Sequence, residues 1–290
     1  MLIDLQLHST YSDGYMSPSQ IAEFICDQGV KVAALSDHNT VSGLGEFFNA
    51  CKRHNIKAIS GMEIYAKLHN YRFNLLWYNF DFHDPELHNV LRDSQVRRRK
   101  SMRNVLTKLK DNGFEIEIEK VLDKYNHYIP LNHMVDEIIT SKKNYKKIIR
   151  ELKADKPSEI KIINNYFHNK DIYRLTNAYI DMDDIVELKK KIGGQLILCH
   201  PAKYNFMRRS FLEDLLEVKI DGIEKLSPHH SYAAVIHIQK LAKRYNLIET
   251  GGSDFHRLES NSKFINHAWQ YFSIDSSNLR RIKDIIGKNG

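Results

Sequence analysis

Leu2 to Leu7 form a short, largely apolar run that carries Asp4 and Gln6 and stops at His8, which suits a buried strand. Ser9, Ser12, Asp13 and Gly14 follow. Ser17-Pro18 then opens a helix as N-cap and first helical residue. The periodicity predicts this helix over Ser17 to Gly29, with Ile21, Phe24 and Ile25 on one side and Gly29 as its stop. The same order recurs. Val30 to Leu35 reads as a second strand and ends in Ser36-Asp37-His38-Asn39-Thr40, with Thr40 capping a helix that runs to about His54. Ile56 to Ser60 is a third strand, followed by Gly61-Met62-Glu63-Ile64, and Arg72 to Phe80 is a fourth. Strands and helices in alternation, with polar residues after each strand, predict an α/β fold built on a parallel sheet or barrel. In such folds the site lies at the C-terminal ends of the strands.

From Pro85 to about Asn112 the pattern becomes one long helix, and helical segments rich in Lys and Asn continue for some sixty residues. Strand character returns after a helix over Met182 to Ile192 and its stop at Gly193-Gly194. Gln195 to Cys199 leads to His200-Pro201, Gly222 to Glu224 is a short strand, Ser231 to Tyr245 a helix, and Leu247 to Thr250 leads to Gly251-Gly252-Ser253-Asp254-Phe255-His256. The expected organisation is a barrel domain of residues 1–84 and 180–290, interrupted by a helical, basic insertion of residues 85–179 that covers the site.

The formal net charge of +7 is unevenly placed. Arg92 to Arg174 holds 20 Lys and Arg against 12 Asp and Glu, and the rest of the chain is near neutral. A localised positive field favours an anionic substrate or a polyanionic partner, although a solvated helical surface gives the same count. The three cysteines are too few and scattered for a disulfide framework. No apolar run approaches the roughly 20 residues of a bilayer span, and the N-terminus carries no basic leader. A cytoplasmic protein without membrane contact is expected. No oligomerisation signal is visible.

The predicted strands are followed in turn by His8 and Asp13, by Asp37 and His38, by Glu63, by His200, and by Asp254 and His256. Single histidines on apolar elements are usually structural. So many imidazoles and carboxylates at strand ends suit a metal site, and the mix of nitrogen and oxygen suits Mn²⁺, Fe²⁺, Zn²⁺ or Mg²⁺. The motifs Asp4-Leu-Gln-Leu-His-Ser9, Ser12-Asp-Gly14, Leu35-Ser-Asp-His-Asn-Thr40, Gly61-Met-Glu-Ile64, Cys199-His-Pro201 and Gly251-Gly-Ser-Asp-Phe-His256 resemble those of the PHP (polymerase and histidinol phosphatase) family. The insertion after the fourth strand is most similar to a subgroup that removes phosphate from nucleotides or trims RNA from its 5′ end.

The resemblance implies a distorted (β/α)₇ TIM-like barrel and a cluster of up to three divalent ions that cleaves phosphoesters. It assigns His8, Glu63 and Asp254 to a first ion. Glu63 bridges to a second, also held by His200, and Asp13, His38 and His256 hold a third. Asp37 orients His38 or a neighbour. Two positions depart from the family pattern: Gln6 stands where a His is usual, and Asn74 matches a fourth-strand His. Amide oxygens are weaker donors, so Gln6 and Asn74 are marginal ligands and the second site is expected to be weak, giving one to three ions in all. The subgroup's Arg-x-His in the insertion is reduced to Leu131-Asn-His133, and His133 reads either as a phosphate-contacting or proton-donating group or as a surface histidine. Arg97, Arg98, Arg99 and Arg103, with His229 and His230, are the other candidates for substrate contact, against the plainer reading of a solvated helix face and a loop pair.

The expected chemistry is hydrolysis of a phosphomonoester or terminal phosphodiester by metal-activated water, with Asp13, His38, Glu63, His133 and His256 as the catalytic set. The substrate is a phosphorylated small molecule, a nucleotide or a nucleic-acid end. The alternative is a catalytically weakened protein of this family that binds nucleic acid or a protein partner.

Overall fold

The structure, a computed structural model, describes residues 1–168, 178–204, 209–258 and 271–287. The chain forms two compact units. One comprises Met1–Val90, Tyr179–His256 and Tyr271–Gly290, and the other Leu91–Ala178 and Arg257–Gln270. Residues 169–177 of the expected insertion lie outside the described residues.

In the first unit β1 (Leu2–Leu7) leads to α1 (Pro18–Asp27), β2 (Val32–Leu35), α2 (Leu44–Arg53) and β3 (Lys57–Ile59). A capping box fixes the start of α1: the Ser17 hydroxyl accepts from the Gln20 backbone N–H, and the Gln20 side chain accepts from the Ser17 N–H. Ile21, Ala22 and Ile25 are buried, one helical face as the spacing predicted, whereas the helix ends two residues before Gly29. Thr40 does not cap α2. That helix starts at Leu44 behind Gly43 without a side-chain cap, and the Thr40 hydroxyl instead accepts from the Ser42 N–H.

The larger difference lies after Ser60. Gly61–Leu68 is an eight-residue strand, β4, and it forms an antiparallel hairpin with β5 (Tyr71–Tyr78), Tyr65 facing Asn74. Glu63 therefore sits within a strand, not behind one. One residue separates β3 from β4, so the apolar rhythm gives no sign that the chain changes sheet there.

The long helix α3 (Pro85–Asp111) passes into the second unit, which continues with α4 (Ile118–Leu122), α5 (Leu131–Ile139), α6 (Lys142–Leu152) and α7 (Glu159–Tyr166). Met102, Leu106, Met134, Val135, Ile148 and Phe167 are among its fully buried side chains. Arg98 is buried here too, its Nε donating to the Ile129 carbonyl at 2.6 Å and its guanidinium lying 4.1 Å from the centre of the Tyr128 ring.

Back in the first unit, β6 (Ile180–Asp181) precedes α8 (Met182–Ile192), β7 (Gln195–Leu198), α9 (Arg209–Glu217), β8 (Gly222–Leu226), α10 (Tyr232–Arg244), β9 (Ile248–Gly251), β10 (Ile274–Asp275) and α11 (Lys283–Ile286). The strands form two sheets, ordered β10-β1-β2-β3 and β6-β4-β5-β7-β8-β9. β1, β2 and β3 run parallel, as do β7, β8 and β9, which makes the fold α/β. Two isolated bridges, Leu7 to Phe255 and His38 to Glu63, link the sheet margins. Both lie at or beside the histidines and carboxylates singled out in the sequence. Ile3, Leu5, Val32, Ile197 and Ile248 fill the core. Among the described residues no helix is long and apolar enough to cross a membrane.

Replacing Arg98 by Ala removes a buried hydrogen bond and leaves the Ile129 carbonyl without its donor. Arg98→Ala is expected to destabilise the helical unit by about 1–3 kcal/mol, read as a lower urea midpoint. An unchanged midpoint would show that the residue is not structural.

Candidate metal centre

Each side chain of the site is placed by a local backbone device. β1 delivers His8, and the chain then folds back so tightly that a Cβ on Gly14 would lie 1.9 Å from the His8 carbonyl oxygen. This Ser9–Gly14 turn carries Asp13. Asp37, buried behind it, accepts from the Ser9 N–H at 2.7 Å, the Ser9 hydroxyl at 2.6 Å and the Ser12 hydroxyl at 2.5 Å. Asp37 thus steadies the turn that presents Asp13. Asp4 does the same for the other end of the chain: it accepts from the Ser253 N–H at 3.0 Å and hydroxyl at 2.6 Å, fixing the segment that carries Asp254 and His256. Burial pushes the Asp4 carboxyl up to about 6, against the hydrogen bonds from Ser253 and Gln6. Asn39, His200 and Asp254 adopt left-handed backbone at φ 46°, 27° and 53°, a conformation uncommon outside glycine and frequent at functional sites.

These devices bring three ligand groups together. His8, Asp13, His38 and His256 form one, His8, Glu63 and Asp254 a second, and Glu63, Cys199 and His200 a third, each with its ligand atoms within 4.8 Å of one another. His8 Nε2 lies 3.1 Å from Asp254 and 3.4 Å from Glu63, and its Nδ1 lies 3.6 Å from Asp13. The Nε2 atoms of His38 and His256 are each 3.2 Å from Asp13 Oδ2. His200 Nε2 is 3.2 Å from Glu63 Oε1. The His8 and His256 rings stack at 4.3 Å.

Burial alone would neutralise these carboxyls. The neighbouring imidazoles outweigh it and hold Asp13 and Glu63 well below the usual carboxylate range. Asp254 is held down likewise, against burial, by Lys203, His229 and His8. Burial also opposes charge on His8, but Asp254, Glu63 and Asp13 together keep its pKa well above normal. Ionised carboxylates converging with imidazoles in a buried cleft are the donor set of a hard-to-intermediate divalent cation. Gln6 Oε1 and His200 Nδ1 are buried there without hydrogen-bond partners among the described residues. The residues fit the group.

The two departures from the family pattern turn the same way. Gln6 Nε2 donates to Glu63 Oε2 at 2.9 Å, and Asn74 Nδ2 donates to Glu63 Oε1 at 2.5 Å. Both amides therefore present nitrogen to the carboxylate.

His229 Nε2 is 2.7 Å from Asp254 Oδ2, whereas His230 Nδ1 meets the Lys225 carbonyl at 2.9 Å, and burial takes its pKa down to about 4. Arg98, Arg99 and Arg103 have partners within the helical unit. Arg98 is bound as described, Arg99 to Asp123 and the Leu122 and Tyr125 carbonyls, and Arg103 bidentately to Glu119, so their forks address protein and not phosphate. Arg97 is exposed, and His133 is partly buried at the start of α5 in the same unit, beside Tyr125.

Three residues of this centre escape a reading of the sequence. Cys199 invites only a disulfide question, yet its Sγ lies in the third ligand group. Lys203 Nζ is 3.8 Å from Asp254. Glu224, fully buried on β8, accepts the His200 N–H at 2.6 Å. The dipeptide Cys199-His200 was the available signal for the first.

The sequence model of the PHP domain matches residues 4–200, more than half of the chain. The chain belongs to the PHP domain family. Among relatives of known activity, the phosphoribosyl 1,2-cyclic phosphate 1,2-diphosphodiesterase of Eggerthella lenta is 27% identical over 88% of this chain and 94% of its own. The 5′-3′ exoribonuclease of Haemophilus influenzae is 25% identical over 87% and 89%. A solved protein of Bifidobacterium adolescentis, described as a metal-dependent phosphoesterase, superposes with a TM-score of 0.74 at 18% identity, covering 98% of this chain and 95% of its own, and so shares the PHP protein's fold.

Two outcomes are expected. His8 and His256 have folded pKa values above the unfolded value of about 6.5, so the stability they contribute is complete below about pH 6.5 and is lost as pH rises through the folded values. In a chelator the unfolding midpoint should therefore fall as pH rises above about 6.5, and Mn²⁺ should flatten that slope by standing in for the protons; a flat profile in chelator would contradict the arrangement. Asp37→Asn should weaken Mn²⁺ binding roughly 10–100-fold by calorimetry, because it frees the turn carrying Asp13.

Proposed function

We propose that this PHP-domain chain is a metal-dependent phosphoesterase that hydrolyses a phosphomonoester or terminal phosphodiester of a nucleotide or nucleic-acid end. The observation that carries the reading is the succession of ligand groups through shared residues: His8 belongs to the first and second, Glu63 to the second and third. Linked groups of this kind suit ions held side by side along a phosphoryl group. We assign His8, Asp13, His38, Glu63, His200, Asp254 and His256 as ligands of one to three ions among Mn²⁺, Fe²⁺, Zn²⁺ and Mg²⁺, and we read the two sheets with their bridges as one distorted barrel.

Bound divalent ions acidify water and neutralise phosphoryl charge. The chain's own part is to fix and balance that chemistry. Asp13 and Glu63 stay ionised at neutral pH. Lys203, 40% exposed beside Asp254, offers positive charge to phosphoryl oxygens. His229, half-buried against the same carboxylate, is positioned to do likewise or to move a proton.

Support for a nucleic-acid or nucleotide substrate comes from relatives and from charge. The two relatives above are named for a cyclic ribose phosphate and for RNA. On α6 of the helical unit, Lys142, Lys143, Lys146, Lys147 and Arg150 line a groove of about 580 Å³. Lys143 pairs with Glu115 and Lys147 with Glu151, while Lys142, Lys146 and Arg150 are exposed. Such a face suits a phosphate backbone.

The test is phosphate release from nucleoside bisphosphates, cyclic ribose phosphates and 5′-phosphorylated oligonucleotides in Mn²⁺. Turnover is expected, and His38→Ala or His256→Ala should reduce it to the background rate; full activity in either variant would sink the assignment. The donation of both Gln6 and Asn74 to Glu63 favours a second reading, a weakened enzyme acting as a binding module. Gln6→His with Asn74→His separates the two, since activity confined to the doubly substituted protein selects the binding module.

A further inference from the structure

Successive residues of a strand send their side chains to opposite faces. Cys199 and His200 follow directly on β7, yet the Cys199 Sγ, a His200 ring nitrogen and a Glu63 carboxylate oxygen all lie within 4.8 Å of one another. The backbone explains this. His200 sits at φ 27° and ψ 58°, and the kink that breaks the alternation is held by the bond from the His200 N–H to Glu224.

The thiol is fully buried and in a polar setting. Gln6 Nε2 donates to Sγ at 3.2 Å, and the thiol S–H donates to Glu224 Oε2 at 3.8 Å. Gln6 Oε1, His200 Nδ1 and Glu224 Oε1 are buried around it with no hydrogen-bond partner among the described residues. An N–H aimed at sulfur is what a thiolate needs, and unmatched buried polar atoms are costly unless something is bound among them. The matching position on β5 is an amide, Asn74, whose nitrogen donates to Glu63. Without another donor, Glu63 and His200 make a two-ligand group.

We propose that Cys199 is a metal ligand, completing with Glu63 and His200 a carboxylate–thiolate–imidazole site at one end of the row of ligand groups. The inference rests on the metal-dependent reading above and adds to it a sulfur donor and a preference. Binding breaks the S–H bond and forms a sulfur–metal bond, with the proton released to solvent. A thiolate is a soft, anionic donor, so this site favours Zn²⁺ and Co²⁺ over Mn²⁺ and Mg²⁺, while the all-nitrogen-and-oxygen groups beside it retain no such bias. Gln6 and Glu224, in hydrogen-bond contact with Cys199 and His200, orient the ligands.

The probe is Co²⁺. The wild-type protein loaded with Co²⁺ should show an intense near-ultraviolet sulfur-to-cobalt charge-transfer absorption. The band should persist in Cys26→Ala/Cys51→Ala, since neither thiol lies in a ligand group, and vanish in Cys199→Ser together with one bound ion by elemental analysis. Zn²⁺ affinity at that site should drop at least ~10-fold in Cys199→Ser. If that variant does not fold, X-ray absorption of the Zn²⁺-loaded wild-type protein decides, with a sulfur scatterer at about 2.3 Å expected. Only nitrogen and oxygen around zinc, or a cobalt band that survives Cys199→Ser, overturns the proposal. Phosphate release in Mn²⁺ is measured on the same preparations: turnover without the band removes Cys199 alone, and the band without turnover removes the phosphoesterase reading alone.

Discussion

Ionised carboxylates are not buried together unless positive charge is buried with them. Asp13, Glu63 and Asp254 are 18% exposed or less, and five imidazoles, those of His8, His38, His200, His229 and His256, lie against them. Protons on His8 and His256, whose carboxylate neighbours hold their pKa values up, and the ammonium of Lys203 beside Asp254 supply part of the balance. Divalent ions supply it better, because one cation answers two carboxylates at once. Most of the unusual local structure of this PHP protein serves that balance: Asp37 and Asp4 hold the two loops that carry ligands, and the left-handed residues His200 and Asp254 aim their own side chains inward.

The α/β order, the cap of α1 and the polar ends of β1, β2, β7 and β9 were legible because each depends on local signals: periodicity of the apolar positions, a capping pair, an apolar run closed by a polar cluster. Most of the clustered histidines and carboxylates were legible for the same reason, since they follow those runs; Glu63, inside β4, does not. The β4–β5 hairpin was not, because a single residue separates β3 from β4 and the change of sheet is decided by packing. The fate of Arg98, Arg99 and Arg103 was also hidden. A run of arginines looks the same whether its partners are phosphates or the carbonyls and carboxylates of a neighbouring helix. Cys199 was read for disulfides and as part of the Cys199-His-Pro201 motif but not as a ligand, and strand alternation places it away from His200 until the kink at 200 is known.

The substitutions at Gln6 and Asn74 look like losses when compared with the family pattern. In place they do something definite: both donate to Glu63, the residue shared by two ligand groups, and Gln6 reaches Cys199 as well. An imidazole and an amide at these positions differ in more than affinity. The two amides hold the Glu63 carboxylate from both oxygens.

The centre draws on residues near both ends of the chain, His8 at one and Asp254 and His256 at the other, tied by Asp4 to Ser253 and by the Leu7 to Phe255 bridge. During synthesis these contacts cannot form until the last of them has left the ribosome. The Glu63, Cys199 and His200 group is complete some fifty residues earlier in the chain than the other two. The parts of that group, with the Glu224 that fixes its kink, are thus available to fold before the C-terminal loop that the other two groups require.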